Sequence, residues 1–326
     1  MAVTMAVVSV GRLTRLSFAL SAFLAALALA TTAASAQTYG FATLPAGTLS
    51  HVISSAISKA MKERAGLNVL VQPAAGGNVI VPLVARGEAE VGLVNIMEAQ
   101  DGLDAGLKDL RLIGAAQGLR TPFFVRKDSA MFKVADLKGK RVTMGFSAMR
   151  QIDQVTRAVL ASAGLTEADV RPVLVPNVVR SADDFMAGNS DMFFFTFGGP
   201  KVREADATVG GIRPLEMDPN GMPAARKINP WGYLTDISPG PFYTGIDTPM
   251  KVYSFDNVMI TSAKVSDDFV YKLLDAMEKG KGDIVAIAPA MAEFSPAFAY
   301  KQYGVPYHPG ALKFFKERNL SPRPLE

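Results

Sequence analysis

From residue 37 onward, apolar and polar positions follow two alternating periods. Tyr39 to Leu44 and Asn68 to Val71 are short apolar runs of strand length. Between them Val52, Ile53, Ala56, Ile57, Ala60 and Met61 recur at three- and four-residue spacing, which predicts one buried helical face. Gly66 follows as a C-terminal cap. After the loop Ala74 to Asn78, a short helix is predicted over Val79 to Arg86. Gly87 to Glu90 then turns into a strand Val91 to Val94, followed by Asn95.

The same order returns about a hundred residues later. Arg141 to Met144 reads as a strand, Gly145 to Met149 as a loop, and Ile152, Val155, Val159, Leu160 and Ala163 as a helical stripe. A strand Pro172 to Val175, a helix Ser181 to Ala187 capped by Ser181, and a strand Met192 to Phe195 complete the second unit. Two such strand–loop–helix units predict two similar α/β lobes, each with a mainly parallel sheet flanked by helices. Ligands of open α/β sheets sit outside the carboxyl ends of the strands, so the cleft between the lobes is the expected binding site. Helix N-termini entering that cleft from both sides favour an anion.

Residues 1–36 follow a different rule. Arg12 and Arg15 precede an Ala-rich apolar run, Leu16 to Ala30, and Ala34-Ser35-Ala36 has the small-x-small form cut by signal peptidase. The run is shorter than the roughly 20 residues needed to span a bilayer. Cleavage after Ala36 and a periplasmic protein starting at Gln37 are expected. The 326-residue chain has no Cys, which excludes disulfides, a lipid-attachment Cys, thiolate metal sites and Cys nucleophiles. The formal net charge is +4, and two of the positive charges lie in the leader. No Lys/Arg run exceeds two residues, so no nucleic-acid partner is expected. With only His51 and His308, and no triad, phosphate-loop or metal motif, neither a metal nor a cofactor nor catalysis is expected.

The tail is the most specific stretch. Phe269-Val270-Tyr271-Lys272-Leu273-Leu274 opens one predicted helix, and Tyr307-His308-Pro309-Gly310-Ala311-Leu312 opens another. With Ala135 to Val142, Gly87 to Val94 and Phe193 to Thr196, these segments resemble the TAXI family, extracytoplasmic solute-binding subunits of TRAP transporters. The resemblance implies a two-lobed periplasmic-binding-protein fold of type II. Its implied segments are 37–120 plus 256–326 for lobe 1 and 121–255 for lobe 2. It also implies capture of a small organic anion or acidic amino acid and transient delivery to an integral-membrane TRAP permease, by a monomer. Leu49 and Ser50 stand where the family usually has two aromatics, Ile80 where it has an Asn, and Gly145 to Gln151 replaces its Gly-Ser-Gly type loop. A receptor for an ABC or tripartite tricarboxylate importer, an enzyme on the same fold and a secreted interaction protein remain open.

The candidate ligand residues follow from the loops. In lobe 1 they are Thr48, Ser50, Gly76, Gly77, Asn78 and Asn95; in lobe 2, Ser147, Arg150, Gln151, Thr196, Phe197 and Gly198; by resemblance, also Tyr243. Arg150 is singled out because a guanidinium clamps a carboxylate with two parallel hydrogen bonds. Capping alone accounts equally for Ser147, and tight-turn geometry for the glycines. Core packing is the competing reading of Tyr243.

Overall fold

The structure, a computed structural model, describes residues 37–325; the expected leader lies outside them. In chain order the elements are β1 Thr38–Thr43, α1 Leu49–Ala65, β2 Asn68–Pro73, α2 Gly77–Arg86, β3 Val91–Asn95, α3 Ile96–Asp104, β4 Leu110–Arg120 and β5 Phe123–Arg126. Then come β6 Arg141–Met144, α4 Arg150–Ser162, β7 Arg171–Leu174, α5 Val178–Met186, β8 Phe193–Phe194, α6 Pro200–Val209, β9 Ile212–Pro214 and α7 Met222–Ile228. The chain ends with β10 Tyr233–Ile237, β11 Met250–Ser262, α8 Asp267–Lys279, α9 Lys281–Ile287, α10 Pro296–Ala299 and α11 Pro309–Glu317.

Strands β10, β11, β3, β1 and β2 form one sheet in that order, with β4 as a sixth strand on β11. The remaining strands form a three-stranded sheet, β8-β5-β9, and the pair β6-β7. Pairing is parallel inside the repeated units, β1 with β2 and β3, and β6 with β7. It is antiparallel for β11 against β3, β4 and β10, and for β5 against β8 and β9. The six-stranded sheet is therefore mixed, the three-stranded sheet antiparallel and the β6-β7 pair parallel, where mainly parallel sheets were expected. A strand returning from the other lobe enters the sheet from its opposite end and must run antiparallel. β11 pairs with β4 from Ser254↔Arg120 to Ser262↔Leu110, so residues 250–255, placed by the sequence in the second lobe, continue into the six-stranded sheet.

Local chemistry sets the helix ends. Thr48 caps α1, its Oγ1 accepting from the His51 N–H, and Gly66 closes it at φ 68°. Helix α5 starts earlier than expected. Asn177, not Ser181, is its cap, with Oδ1 accepting from the Arg180 N–H at 3.0 Å. Ser181 is buried instead, sharing a 2.7 Å hydrogen bond with Thr143. Asp183 and Asp184 consequently fall beyond the first turn and pair with Lys201 and Arg180. His308 caps α11 through Nδ1, which accepts from the Gly310 N–H, while Nε2 donates to Val265 O at 3.0 Å. The core is continuous through both lobes, with Phe123, Phe124, Phe146, Phe193, Phe194, Phe195 and Phe197 packed in the second.

Candidate functional site

The loops at the carboxyl ends of β1, β2 and β3 meet those that follow β6 and β8. The Lys201 N–H donates to Gly47 O at 3.1 Å. Asn78 Nδ2 donates to Ser147 O at 3.2 Å, and Gln151 Nε2 donates to Asp101. At Gly76 the approach is closest: a Cβ there would stand 2.0 Å from Ala148 O. Gly76 is the N-cap of α2 with extended φ, so space rather than backbone strain demands glycine.

Beside this seam lies a cavity of about 120 Å³, lined by Gly77, Asn78, Glu98, Asp101, Arg150 and Gln151 among others. Arg150 is the first residue of α4 and is exposed. The loop before it is held by Gly145 N–H donating to Asp153 Oδ1 at 2.6 Å, and buried Phe146 takes φ 32°. The α4 cap is Met149 with no side-chain bond, so Ser147, exposed at the seam, does not cap the helix. Glu98 is buried. Its Oε2 accepts from the Asn95 N–H at 3.1 Å, completing a capping box with Asn95 Oδ1 on the Glu98 N–H. Its Oε1, against the Gly77 backbone, makes no well-directed hydrogen bond. Burial pushes Glu98 up to about 7, against the hydrogen bonds that favour its ionised form. Asp101 is also raised, by burial and by Asp104, while Arg150 pulls it down.

A second group forms on the sheet under the start of α1. Asn95, Asn257 and Gln117 stand opposite one another on β3, β11 and β4, so their side chains share a face. Asn257 Nδ2 donates to Ser50 Oγ at 3.3 Å, which identifies that face as the one covered by α1. Thr43 shares it, two positions along β1 from Phe41 and four from Tyr39, whose ring stacks on Phe269 of α8. Thr43, Ser50, Asn95, Gln117 and Asn257 are all buried. Thr43 Oγ1 and both amide atoms of Gln117 have no hydrogen-bonding partner.

Thr196, Phe197, Gly198 and Tyr243 sit elsewhere, at the crossing between β4 and β5. Thr196 Oγ1 and the Phe197 N–H both donate to Arg120 O, at 3.1 and 3.0 Å. Gly199, not Thr196, is the residue that precedes α6. The Phe197 ring packs edge-on against Phe124 and Tyr243. Gly198 has φ 79°, and the Phe242 ring occupies the place of a Cβ. The Arg120 guanidinium forks onto Glu293, whose Oε2 also accepts from the Gly118 N–H at 2.9 Å. These four residues hold the crossing together and do not line the cavity at Arg150.

Nearby, on the other face of β11, Trp231, Tyr233, Asp256, Lys301 and Tyr303 border a cavity of about 30 Å³. Asp256 accepts from Lys301 Nζ at 2.8 Å, Tyr303 OH at 2.5 Å and Tyr233 OH at 2.9 Å. Burial and the Asp256 charge hold both tyrosines above their ordinary values.

Sequence reasoning missed Thr43, Glu98, Asp101, Gln117 and Asn257. Glu98 could have been found as a capping-box partner three residues after Asn95. Gln117 is a lone amide in the run Leu110 to Leu119, but its partners lie on strands remote in sequence.

A family model described as NMT1-like matches residues 41–318. Among solved structures, one described as a periplasmic transporter aligns at 13% identity and TM-score 0.58, covering 88% of this chain and 94% of its own. A binding protein component of an ABC phosphonate transporter from Pseudomonas aeruginosa aligns at 13% and 0.54, covering 79% and 80%. The alkanesulfonate-binding protein SsuA from Xanthomonas axonopodis pv. citri, bound to MOPS, aligns at 17% and 0.51, covering 86% and 83%. At these identities the likeness establishes the fold: a two-lobed α/β fold of the periplasmic-binding-protein kind.

Proposed function

The chain belongs to the NMT1-like family, and we propose that it is a periplasmic solute receptor. It closes two lobes on a small organic anion and hands it, unaltered, to a membrane permease. The observation that carries this reading is the seam at Arg150. Loops from the strand ends of both lobes meet there, beside a cavity lined by a guanidinium at a helix N-terminus. Lobe 1 is assigned to 37–120 plus 256–326 and lobe 2 to 121–255, with β10 and the start of β11 serving as crossing strand. Hinge closure of such lobes is how occupancy becomes visible to a partner. The leader is removed after Ala36, leaving a free protein that begins at Gln37.

The TAXI-like tail, Tyr307 to Leu312, supports a TRAP permease as the partner. The sulfonate and phosphonate receptors of similar fold support an ABC importer instead. Both readings share an anionic ligand. Native mass spectrometry of protein purified from its host before dialysis tests them together. A released, unmodified anion is expected, together with an N-terminus at Gln37. A chemically altered product would move the protein to the enzymes.

A further inference from the structure

The polar row under α1 asks for a ligand of its own. It stands at the carboxyl ends of β1, β3 and β4, where the lobes face one another, beneath the Gly47 to Ser50 turn that Lys201 touches from the second lobe. A buried sheet face covered by a helix is ordinarily apolar, and its polar atoms are paired. Here Thr43, Asn95, Gln117 and Asn257 occupy it together. Gln117, fully buried, leaves both a donor and an acceptor unused, and Thr43 adds a free hydroxyl. None of the four carries a charge.

We infer that Gln117, with Asn257 opposite it on β11, forms a subsite for a neutral group that both donates and accepts hydrogen bonds, a primary carboxamide in chemical class. Resting on the receptor reading, this makes the ligand two-ended: an anionic end and a carboxamide end. A carboxamide presents its N–H to the Gln117 carbonyl and its oxygen to the Gln117 amide, using both unpaired atoms at once. A carboxylate has no donor, would leave the Gln117 carbonyl facing an anion, and would lose hydration without a countercharge. The competing reading is a structural water on Gln117; it predicts no effect of this residue on ligand choice.

Calorimetric titration with matched probes separates the two. The pairs are succinamate against succinate, and glutaramate against glutarate, on wild type, Gln117→Met and Gln117→Asn. The amide member should bind wild type at least about tenfold tighter than its diacid, the preference expected when a site's buried polar groups are paired by one ligand and not by the other. Gln117→Met should abolish that preference while melting higher without ligand, because an unpaired amide is replaced by an apolar chain of similar length. Gln117→Asn, which withdraws the amide by one methylene, should weaken the amide member and leave the diacid unchanged. Equal binding of the two members to wild type, or a preference that survives in Gln117→Met, overturns the subsite alone. Failure of all four probes to bind wild type overturns the anion-receptor reading and the subsite with it.

Discussion

Asp256 and Asn257 are neighbours on β11 and face opposite sides of the sheet, and their surroundings could hardly differ more. Asp256 is charged and buried, and its acceptor sites are filled by Lys301, Tyr303 and Tyr233. The lysine is further covered by the Phe298 ring, 4.2 Å from Nζ. Asn257 is neutral and donates to Ser50, yet the amide directly opposite it, Gln117, is unpaired. Low polarity inside a protein strengthens every bond that is made and penalises every one that is not. A cluster that is complete without a ligand needs none, and Asp256 reads as architecture. A cluster that is incomplete has kept its capacity for something else.

The largest test attacks the complete cluster. Lys301→Met strands the Asp256 charge and should cost about 3–5 kcal/mol of stability, read by denaturant unfolding. Adding Asp256→Asn should return much of that loss, because the buried charge goes with its partner. A small cost for Lys301→Met would mean that Asp256 was never the strut proposed.

Glu98 lies between the two types, capped on Oε2 and unpaired on Oε1. Its carboxyl rises from 4.5 to about 7 on folding, so the unfolded chain ionises first. Its favourable contribution is complete below pH 4.5 and is lost as pH rises through about 7. Glu98→Gln keeps the capping box and removes the ionisation. The variant should match wild type near pH 4.5 and exceed it at pH 8 by on the order of 3 kcal/mol. Paired unfolding curves at the two pH values decide it; a constant difference would place the charge in contact with solvent.

Arg150→Ala tests the open side of the seam. Anion affinity should fall by about 1.5 to 3 kcal/mol, the range for a hydrogen bond to a charged group, with the unliganded melting temperature unchanged. Equal affinities would move the anion to the lobe 1 loops. The smallest effect is expected at Gly76→Ala. The added Cβ cannot sit against Ala148 O, so the lobes should close less fully. A loss of about tenfold in affinity, about 1.4 kcal/mol, is expected. Scattering should show a larger radius of gyration for the liganded variant than for liganded wild type. Unchanged closure would mean that the Ala148 loop yields.

What the sequence made legible was local. Helix stripes and the Gly66 stop depend on residues a few positions apart, and they stand as read. Ser181 failed as a cap because Asn177, four residues earlier, competes for the same role and leaves α5 a longer apolar face. The parallel sheets failed because crossing strands come from outside the repeated units. Gly76, Asn78, Ser147, Arg150 and Gln151 could be grouped in advance because equivalent loops of a repeated plan must face each other. Gln117 and Asn257 could not, since they are 140 positions apart and only the β4–β11 register brings them together.

Trp231 is the one tryptophan of the chain, and it borders the small cavity on the Asp256 side, 6.4 Å from the Tyr303 ring. Its segment, Asn229 to Tyr233, leads from α7 into β10, the edge strand beside β11. Light absorbed at the red edge therefore excites a single, known indole, so any change in its emission has one address. The molecule carries its own optical gauge of the crossing, readable in stopped flow without a label, and a silent indole during ligand capture would itself locate the bending elsewhere.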